Sequence, residues 1–521
     1  MEMRTVWSVT IALIMGTQSR GQDTVFPAES GTIPVAGWDV VPHQIIREPF
    51  LAGVVAFHET SVSVQFGVRS GSNPLPKLAR NVAAPSLNPR TGVWEYVFKV
   101  DPRQVPAGPI HLTAVCIPEG NGNRPITLPE LPLHAAPAPT PPAAPIHVDA
   151  IAGNDTATGT RDGPVRTLAA GIRKAGDGGT VLLAPGTYSP DKLRGGKSRE
   201  YWTTIQPAEG ATRDEVRVGR GRPGMDKLRF RNVAFVVDVK SAKYYPILSG
   251  ENGMTEVWLD NCEIRNLQGR WAGGVVMFGN RYRAYVTGGV TTEIRRGPGA
   301  VLMRDHRIVK IAEDVFTDSK VVINSSADGV DAGPTGGHAD FHQSHVGKKT
   351  QFKSGVILYN CSGVNCKAQG FFGHNLKDSA FVNCLFEKTP DVPMLSQYSG
   401  MLDHVLFLHL TLPNQSWLWR GGLRSRNCFM LNCILPGMST HSKEGADVSG
   451  VSIRSNHFLR PGRGMGTDIS EGDPGFAAPG KADYRLSPES SLCGAGRPLP
   501  CVPVNAAGEA WPDRKPNRGC F

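Results

Sequence analysis

The sequence predicts an all-β protein, in which a small β-sandwich precedes a long solenoid of stacked coils. Glycine (60) and proline (41) are plentiful among the 521 residues, which is typical of many short strands joined by turns. Asn-Cys pairs recur at multiples of a nearly constant spacing in the second half of the chain. A chain of this length exceeds one ordinary compact core, but a repeat architecture accommodates it because each unit packs only on its neighbours.

The first 21 residues have the features of a secretory signal peptide. Arg4 precedes an apolar run over residues 6–16, and small and polar residues follow, so cleavage is expected between Ser19 and Gln22. This run is too short to span a bilayer and no longer one follows, so we expect no membrane span. The sequence therefore predicts export to the periplasm or the extracellular space.

Residues 22–135 predict the sandwich. Apolar and polar residues alternate over short stretches such as 62–66 and 94–98, and turn signals such as residues 88–92 separate these stretches. The pattern is typical of an antiparallel β-sandwich and resembles an immunoglobulin-like domain. No group of titratable residues stands out in it, so we expect a spacer or a binding module.

A proline- and alanine-rich segment at residues 136–145 predicts an extended linker to the solenoid. The solenoid is predicted to occupy residues 146–490, and a C-terminal tail, residues 491–521, is predicted to pack on it. The tail is rich in loops, and its three cysteines could form a disulfide bridge in an exported protein.

The coil length is measured by the Asn-Cys pairs. Cys361 and Cys384 are 23 residues apart, Cys384 and Cys433 are 49 apart, and Cys262 and Cys361 are 99 apart. These distances correspond to about one, two and four coils of a period near 24 residues. A small side chain that recurs at one place in each coil indicates a buried stack of thiols rather than a disulfide ladder.

The start of the solenoid supplies a family resemblance. A short helix is predicted to begin after Thr167 as N-cap, with Leu168 and Ile172 on its inner face, and residues 178–188 then predict a strand and a turn. This succession resembles the N-terminal start of right-handed parallel β-helix proteins of the pectate-lyase-like superfamily. The resemblance implies a right-handed parallel β-helix whose open N-terminal end is plugged by the helix.

Residues 473–476 and 483–488 resemble the C-terminal segment of many β-helix proteins, so the resemblance covers about 146–521. The superfamily includes lyases, hydrolases, esterases, epimerases and adhesins, and the fold therefore implies no single activity. The catalytic signatures of polygalacturonase-like hydrolases and of pectate lyases are missing from this sequence. No catalytic residue is carried over from either family.

The densest group of titratable and amide side chains lies in residues 337–345. Written as a strand, this segment projects His338, Asp340 and His342 from one face, and Gln343 joins them if the strand bends after Asp340. An acid between two imidazoles could transfer a proton, hold a metal ion or bind a polar ligand. The residues alone leave these three possibilities open.

Neighbouring coils extend this face when they are aligned on Asp340 by their period. Asp314 falls one coil earlier, 26 residues before Asp340, where one carboxyl could stay protonated while the other is ionised. Later coils add side chains expected to bind a sugar, namely Phe372, His374, Trp417, Trp419 and Arg420. Arg304 is a further candidate, because a lyase needs a cation to offset the uronate charge.

Two functions fit these residues. The first is an exported enzyme, lyase or glycoside hydrolase, that cleaves an acidic polysaccharide with Asp340 and His338 at the centre. The second is a glycan-binding or cell-surface protein in which the same face holds a chain without breaking it. The net charge of +10 favours an extended anionic glycan as partner.

Other partners are not expected. No run of five or more Lys/Arg residues occurs, so nucleic-acid binding is not predicted. Asp328 and Asp331 could bind calcium with loop carbonyls, although a plain turn explains them equally, and no other cofactor is predicted. We expect a monomer.

Overall fold

The structure is a computed structural model. It describes residues 32–137, 143–190, 199–221, 226–249, 255–279, 282–333, 339–344, 351–389, 396–440, 445–511 and 515–521. The signal-peptide prediction and the prediction for His338 concern residues outside these ranges. None of the ranges contains a helix with the length and hydropathy needed to cross a bilayer.

The N-terminal domain is a sandwich of two sheets around one apolar core. The first sheet has the strand order Val35–Trp38, Phe50–Phe57, Val93–Val100 and Ser86–Asn88. The second has the order Ile45–Ile46, Leu131–Ala135, Gly108–Pro118, Val62–Ser70 and Asn73–Pro74, with Ile126–Thr127 and Arg80–Val82 pairing at its side. All pairs are antiparallel except Ile45–Ile46 with Leu131–Ala135, so the predicted small sandwich is confirmed.

Most of the described residues after the linker wind into a parallel β-helix, as predicted. A long parallel sheet, called here the first sheet of the solenoid, runs along it through Ile146–Val148, Thr180–Leu183, Thr203–Pro207, Leu228–Arg231, Thr255–Asp260, Tyr282–Thr287, Leu302–Arg304, Val321–Ile323, Ala339–Ser344, Lys353–Ser354, Ile357–Tyr359, Ala368–Val382, Ser396–Leu408, Trp417–Trp419, Arg424–Arg426, Cys428–Leu431, Met438–Thr440 and Val451–Arg454. The second sheet contains Gly186–Tyr188, Val216–Val218, Ala234–Val237, Glu263–Asn266, Val290–Thr292, Arg307–Val309, Ser326–Asp328, Ser362–Cys366 and Leu385–Lys388. Smaller sheets complete the turns, with strands at Ser241–Leu248, Gly273–Phe278, Ile434–Leu435, His457–Phe458, Ser470–Glu471, Phe476–Ala478 and Asp483–Leu486.

The predicted helix is present at Leu168–Ala175 and packs on the first strands of the solenoid. The Thr167 hydroxyl caps it by accepting a hydrogen bond from the Ala170 N–H at 3.1 Å. Leu168 and Ile172 are buried in the solenoid core, as their spacing predicts. The described residues also form short 3₁₀ turns at Pro76–Leu78, Pro102–Gln104, Arg213–Glu215 and Pro479–Lys481.

The Asn-Cys repeat has a direct structural cause. Each asparagine adopts a left-handed backbone conformation, with φ of 54° at Asn360 and 51° at Asn383, and turns the chain from the first sheet into the second. Its amide joins a ladder, in which Asn383 Nδ2 donates to Asn360 Oδ1 at 3.1 Å and Asn360 Nδ2 donates to Asn324 Oδ1 at 3.2 Å. The following cysteine is buried in the core, so the predicted thiol stack is confirmed.

The C-terminal tail packs on both domains without a disulfide. All ten cysteines are free, so the bridge considered for the tail does not form. The Cys501 thiol is buried against the N-terminal domain and donates to the His58 carbonyl at 3.1 Å. Asn383 Nδ2 donates to the Val504 carbonyl at 2.8 Å, which fastens the tail to the asparagine ladder.

The N-terminal domain covers one outer face of the solenoid. Val35, Val55, Phe57 and Val93 of its first sheet form one apolar cluster with outward-facing side chains of the solenoid's first sheet, namely Trp258, Tyr285, Leu302, Val321, Ile323, Ile357, Tyr359, Val382, Leu406 and Leu408. The alternate residues of the same strands, such as Val322 and Leu358, face the solenoid core. These strands are therefore buried on both sides, which leaves a ligand no access to this face.

Candidate functional site

The site predicted around Asp340 lies on strand Ala339–Ser344, which pairs with residues 368–373 of the next coil. Asp340 stands beside Gln369 in this register. On the preceding coil, Asp314 Oδ1 accepts a hydrogen bond from the Asp340 N–H at 3.2 Å, and the Val315 N–H donates to the Asp340 carbonyl at 2.9 Å. The two aspartates thus lie on adjacent coils, where the 26-residue spacing placed them.

The environment of Asp340 favours its neutral form. Its side chain is 0% exposed, and this burial, together with the nearby charge of Asp314, raises the pKa of the Asp340 carboxyl to about 8. A hydrogen bond from Gln369 opposes the shift without cancelling it. Asp340 therefore holds its proton at neutral pH, whereas Asp314 is only half-buried and lies nearer to solvent.

This raised pKa predicts a pH dependence of stability. Between the unfolded pKa of an aspartate, about 4, and the folded pKa of about 8, only the folded state binds the proton, so stability falls as pH rises. The slope is at most about 1.4 kcal/mol per pH unit. We expect Asp340→Asn to remove this contribution, so that urea titrations of variant and wild type diverge progressively from pH 4 to pH 8. Parallel curves over that range would contradict the assignment.

His342 does not share the environment expected for a surface base. Phe341 and His342 are both buried: Phe341 stacks on Phe386 with ring centroids 4.4 Å apart, and His342 packs edge-on against Phe381 with ring centroids 5.2 Å apart. Burial holds the pKa of the His342 imidazole well below its ordinary value, so the ring is neutral. The expectation that Asp340 and His342 line an exposed face is therefore wrong.

Gln343, in contrast, is half-buried on the outer side. Its backbone carbonyl accepts a hydrogen bond from Lys353 Nζ at 3.3 Å. Lys353 also lies 3.5 Å from Asp318 Oδ1. Burial lowers the pKa of the Lys353 ammonium, and the charge of Asp314 acts on it in the opposite direction. Lys353 was not among the residues predicted from the sequence, because no sequence pattern sets it apart from the other lysines of the chain.

Trp417 and Trp419 are not on the outer face. Both are 0% exposed in the solenoid core, where Trp417 contacts Phe407 at 4.9 Å between ring centroids and Trp419 at 5.3 Å. Leu418, which stands between the two tryptophans, is the half-buried residue of this strand. The sequence alignment of coils was shifted by one residue here, and a one-residue shift exchanges the two faces of a strand.

Three other predicted binding residues keep an outward position. Phe372 and His374 are half-buried and Arg420 is exposed. The His374 imidazole shares a hydrogen bond with the Ser399 hydroxyl, with Nδ1 and Oγ 3.1 Å apart. In the sheet register the outer row reads Gln343, Phe372, Gln397 and Leu418, so the face beside Asp340 is mixed in polarity rather than a platform of tryptophans.

Arg304 belongs to the domain interface instead of a substrate groove. Its guanidinium forms an ion pair with the fully buried Asp39 of the N-terminal domain, and its side chain is 12% exposed. An arginine held in this way is not available to offset the charge of a uronate.

The structure gives the two loop aspartates protein partners. Asp328 Oδ1 accepts a hydrogen bond from Asn365 Nδ2 at 3.1 Å, and Asp331 lies 3.7 Å from Lys367 Nζ and 3.9 Å from Arg270 Nη2. Within the described ranges, no three His, Cys, Asp or Glu side chains come together as a group that could hold a metal ion.

Among the described residues, one sheet of eighteen strands runs along the molecule and a second sheet of nine strands lies beside it. This arrangement identifies the architecture of the solenoid. The chain is a parallel β-helix protein. A family model described as a protein of unknown function (DUF1565) matches residues 151–193, which include the capped helix at the start of the solenoid. No curated protein matches the sequence.

Solved structures similar to this β-helix chain include two crystal structures of one protein and a structure of a second protein. The native GH136 lacto-N-biosidase from Eubacterium ramulus is 12% identical, with 63% of this chain and 67% of that chain covered and a TM-score of 0.29. Its selenomethionine derivative is 11% identical, with the same coverage and a TM-score of 0.27. A rhamnogalacturonan lyase is 12% identical, with 64% of this chain and 87% of that chain covered and a TM-score of 0.26.

Proposed function

We propose that this β-helix protein is exported and cleaves an acidic polysaccharide that lies across the coils of Asp314 and Asp340. The observation that carries the proposal is the pair of carboxyl groups on adjacent coils, one buried and neutral and the other half-buried. Pairs whose environments separate their protonation states are the usual basis of acid–base catalysis by carboxyl groups.

In this proposal Asp314 is the catalytic residue, because its carboxyl is the one nearer to solvent. Asp340 is a positioning residue, because its backbone N–H donates a hydrogen bond to Asp314 Oδ1. Its side chain is protonated, so it adds no negative charge beside Asp314. In hydrolysis, the glycosidic C–O bond breaks, the leaving oxygen takes a proton and water supplies hydroxyl to the other fragment. In elimination, a base takes the C5 proton, a double bond forms between C4 and C5, and the bond to the C4 oxygen breaks as that oxygen takes a proton.

An elimination would also need a cation near the uronate carboxylate. Lys353 is a candidate, because its ammonium donates to the backbone carbonyl of Gln343 and its charge interacts with that of Asp314. The residues support elimination and hydrolysis equally.

The second candidate function is glycan binding without cleavage. It is favoured by the complete burial of Asp340 and by the mixed outer row of Gln343, Phe372 and Gln397, which offers contacts without a second exposed acid. In that case the carboxyl pair would have a structural role.

The test is an incubation with a panel of uronate-containing and sulfated polysaccharides. We expect wild-type protein to release either unsaturated uronates, detected by ultraviolet absorbance, or new reducing ends without that absorbance. Asp314→Asn is expected to lower the rate by at least 100-fold, because loss of a general acid or base costs about that much. Asp214→Asn, at a carboxyl that is 74% exposed on another part of the solenoid, is the matched control.

Full activity of the Asp314→Asn variant would show that the site is assigned to the wrong residues. Retention on a glycan column without any cleavage would instead support the binding function.

A further inference from the structure

A second site lies on the coils that precede Asp314, away from the strand of Asp340. It is a cleft of about 780 Å³, lined by the loop after strand Glu263–Asn266, by Lys240 and Ser241 of the coil before it, and by Glu293 and Lys310 of the coils after it. Its charged and aromatic residues are Lys240, Arg270, Trp271, Glu293 and Lys310.

The loop that forms one wall is held in place along the solenoid axis. Trp271 Nε1–H donates to the Asp331 carbonyl at 3.0 Å, and the Arg270 guanidinium donates to the Gly329 carbonyl. The second sheet stacks Arg265, Thr292, Val309 and Asp328 on successive coils, and Glu293 and Lys310 directly follow two of these residues. The loop therefore starts on the coil of Arg265 and reaches the coil of Asp328. Glu293 and Lys310 lie on the two coils between these.

The cleft combines an aromatic ring with excess positive charge. The Trp271 side chain is 47% exposed although the Arg270 guanidinium lies 4.6 Å from its ring centroid. Lys240 and Lys310 are exposed, and neither has a carboxylate partner among the residues that the structure describes. Glu293 is the one acid of the lining, and its Oε2 already accepts a hydrogen bond from the Arg270 N–H at 3.2 Å.

We infer that this cleft binds an acidic sugar unit, with the exposed part of the Trp271 indole against the C–H surface of the sugar. Lys240 and Lys310 would pair with its carboxylate or sulfate. Aromatic rings bind the apolar surface of a sugar, and unpaired ammonium groups attract an anion over the distance of a Debye length. The inference rests on the proposed function, because it makes the cleft a subsite for the same glycan.

The position of the cleft relative to Asp340 suits an extended chain. Asp331, whose carbonyl holds Trp271, lies on the coil that continues to strand Ala339–Ser344, and Asp314 lies on the coil of Lys310. Stacked coils are about 4.8 Å apart, so a glycan of a few units running along the solenoid would extend from one site toward the other.

The test measures binding by isothermal titration calorimetry in the Asp314→Asn background, which prevents cleavage of the probe. The probes are tetragalacturonate, a sulfated galactan tetrasaccharide and neutral galactotetraose. We expect an acidic probe to bind at least 10-fold more tightly than the neutral one. Adding Trp271→Ala, or Lys240→Gln with Lys310→Gln, should weaken it at least 10-fold, and the lysine pair should also abolish its salt dependence.

Leu267→Ala is the control, since Leu267 is 53% exposed on the same loop but outside the cleft lining, and it should leave the affinity unchanged. Circular dichroism of each variant establishes that it is folded. Tight binding of tetragalacturonate alone identifies a uronate, and tight binding of the sulfated probe alone identifies a sulfated sugar. Unchanged affinity after Trp271→Ala, or equal binding of neutral and acidic probes, would overturn the inference.

Failure of the proposed function gives a different result. If wild-type protein cleaves none of the panel but the cleft variants lose the acidic probe, the cleavage proposal fails and this inference stands. If wild-type protein cleaves and the cleft variants bind normally, the cleavage proposal stands and this inference fails.

Discussion

Replacing Trp417 by Ala is expected to lower the free energy of unfolding by about 3–5 kcal/mol, the usual cost of truncating a large buried aromatic residue. Trp417 is 0% exposed and lies among Phe371, Tyr398, Phe407 and Trp419, all in the solenoid core. The loss combines the removed apolar contact with the cavity left behind, because packed coils relax only in part. Urea unfolding followed by far-ultraviolet circular dichroism measures it.

The neighbouring Leu418 provides the matched control, since it is half-buried on the other side of the same strand. Leu418→Ala should cost clearly less than Trp417→Ala. The alternative, an exposed sugar-binding tryptophan, predicts an unchanged unfolding curve for Trp417→Ala together with lost glycan affinity. That result would restore the original interpretation of this strand.

Arg304→Met is expected to destabilise the protein by about 3–5 kcal/mol, because it leaves a buried charge without its partner. Asp39 of the N-terminal domain is fully buried, and Arg304 is its ion-pair partner from the solenoid. Burial raises the pKa of Asp39, and the positive charge of Arg304 opposes that rise. Without Arg304 the pKa of Asp39 rises further, so the variant should lose stability as pH rises from the pKa of unfolded aspartate, about 4, toward the raised pKa of the folded state.

The double variant Asp39→Asn with Arg304→Met separates the charge effect from lost packing. Removing both charges should recover much of the stability and abolish the added pH dependence. Arg103→Met is the control, because Arg103 pairs with Asp101 at a surface where its side chain is 65% exposed, and solvent screens such a pair so that its loss should leave stability nearly unchanged. Equal stability of Arg304→Met and wild type would show that the interface does not depend on this pair.

The features predicted correctly are those that repeat or that depend on local geometry. The Asn-Cys pairs identified the coils because each asparagine must adopt the same left-handed turn and each cysteine must fit the same small space in the core. Thr167 identified a helix start through its capping hydroxyl. Asp314 and Asp340 were brought together by coil spacing alone, since neighbouring coils are always in contact.

The errors arose where a strand departs from simple alternation. Phe341 and His342 are neighbours in one strand, yet both are buried beside core phenylalanines, and nothing in a single sequence marks this departure from alternation. In Trp417–Trp419 the two candidate faces differ by one residue, and the presence of two tryptophans favoured the wrong one.

The domain interface was missed, although it has a signal in the sequence. The stretch Val321–Ile323 is apolar at every position, which is typical of a strand buried on both faces, whereas a solvent-exposed face would alternate. This run predicts that some part of the protein covers that face. It does not predict that the N-terminal domain is the part that does so, because the contact joins residues far apart in the chain.

The same docking has a consequence for the order of events during synthesis. Asp39 and Arg304 are 265 residues apart, and a ribosome adds about 5–20 residues per second, so the first domain waits roughly 10–50 s for its partner surface. During that interval Val35, Val55 and Phe57 have no solenoid to cover them. The nascent chain therefore presents an apolar sheet that holdase chaperones would recognise, and slowing translation between the two domains should increase the aggregated fraction.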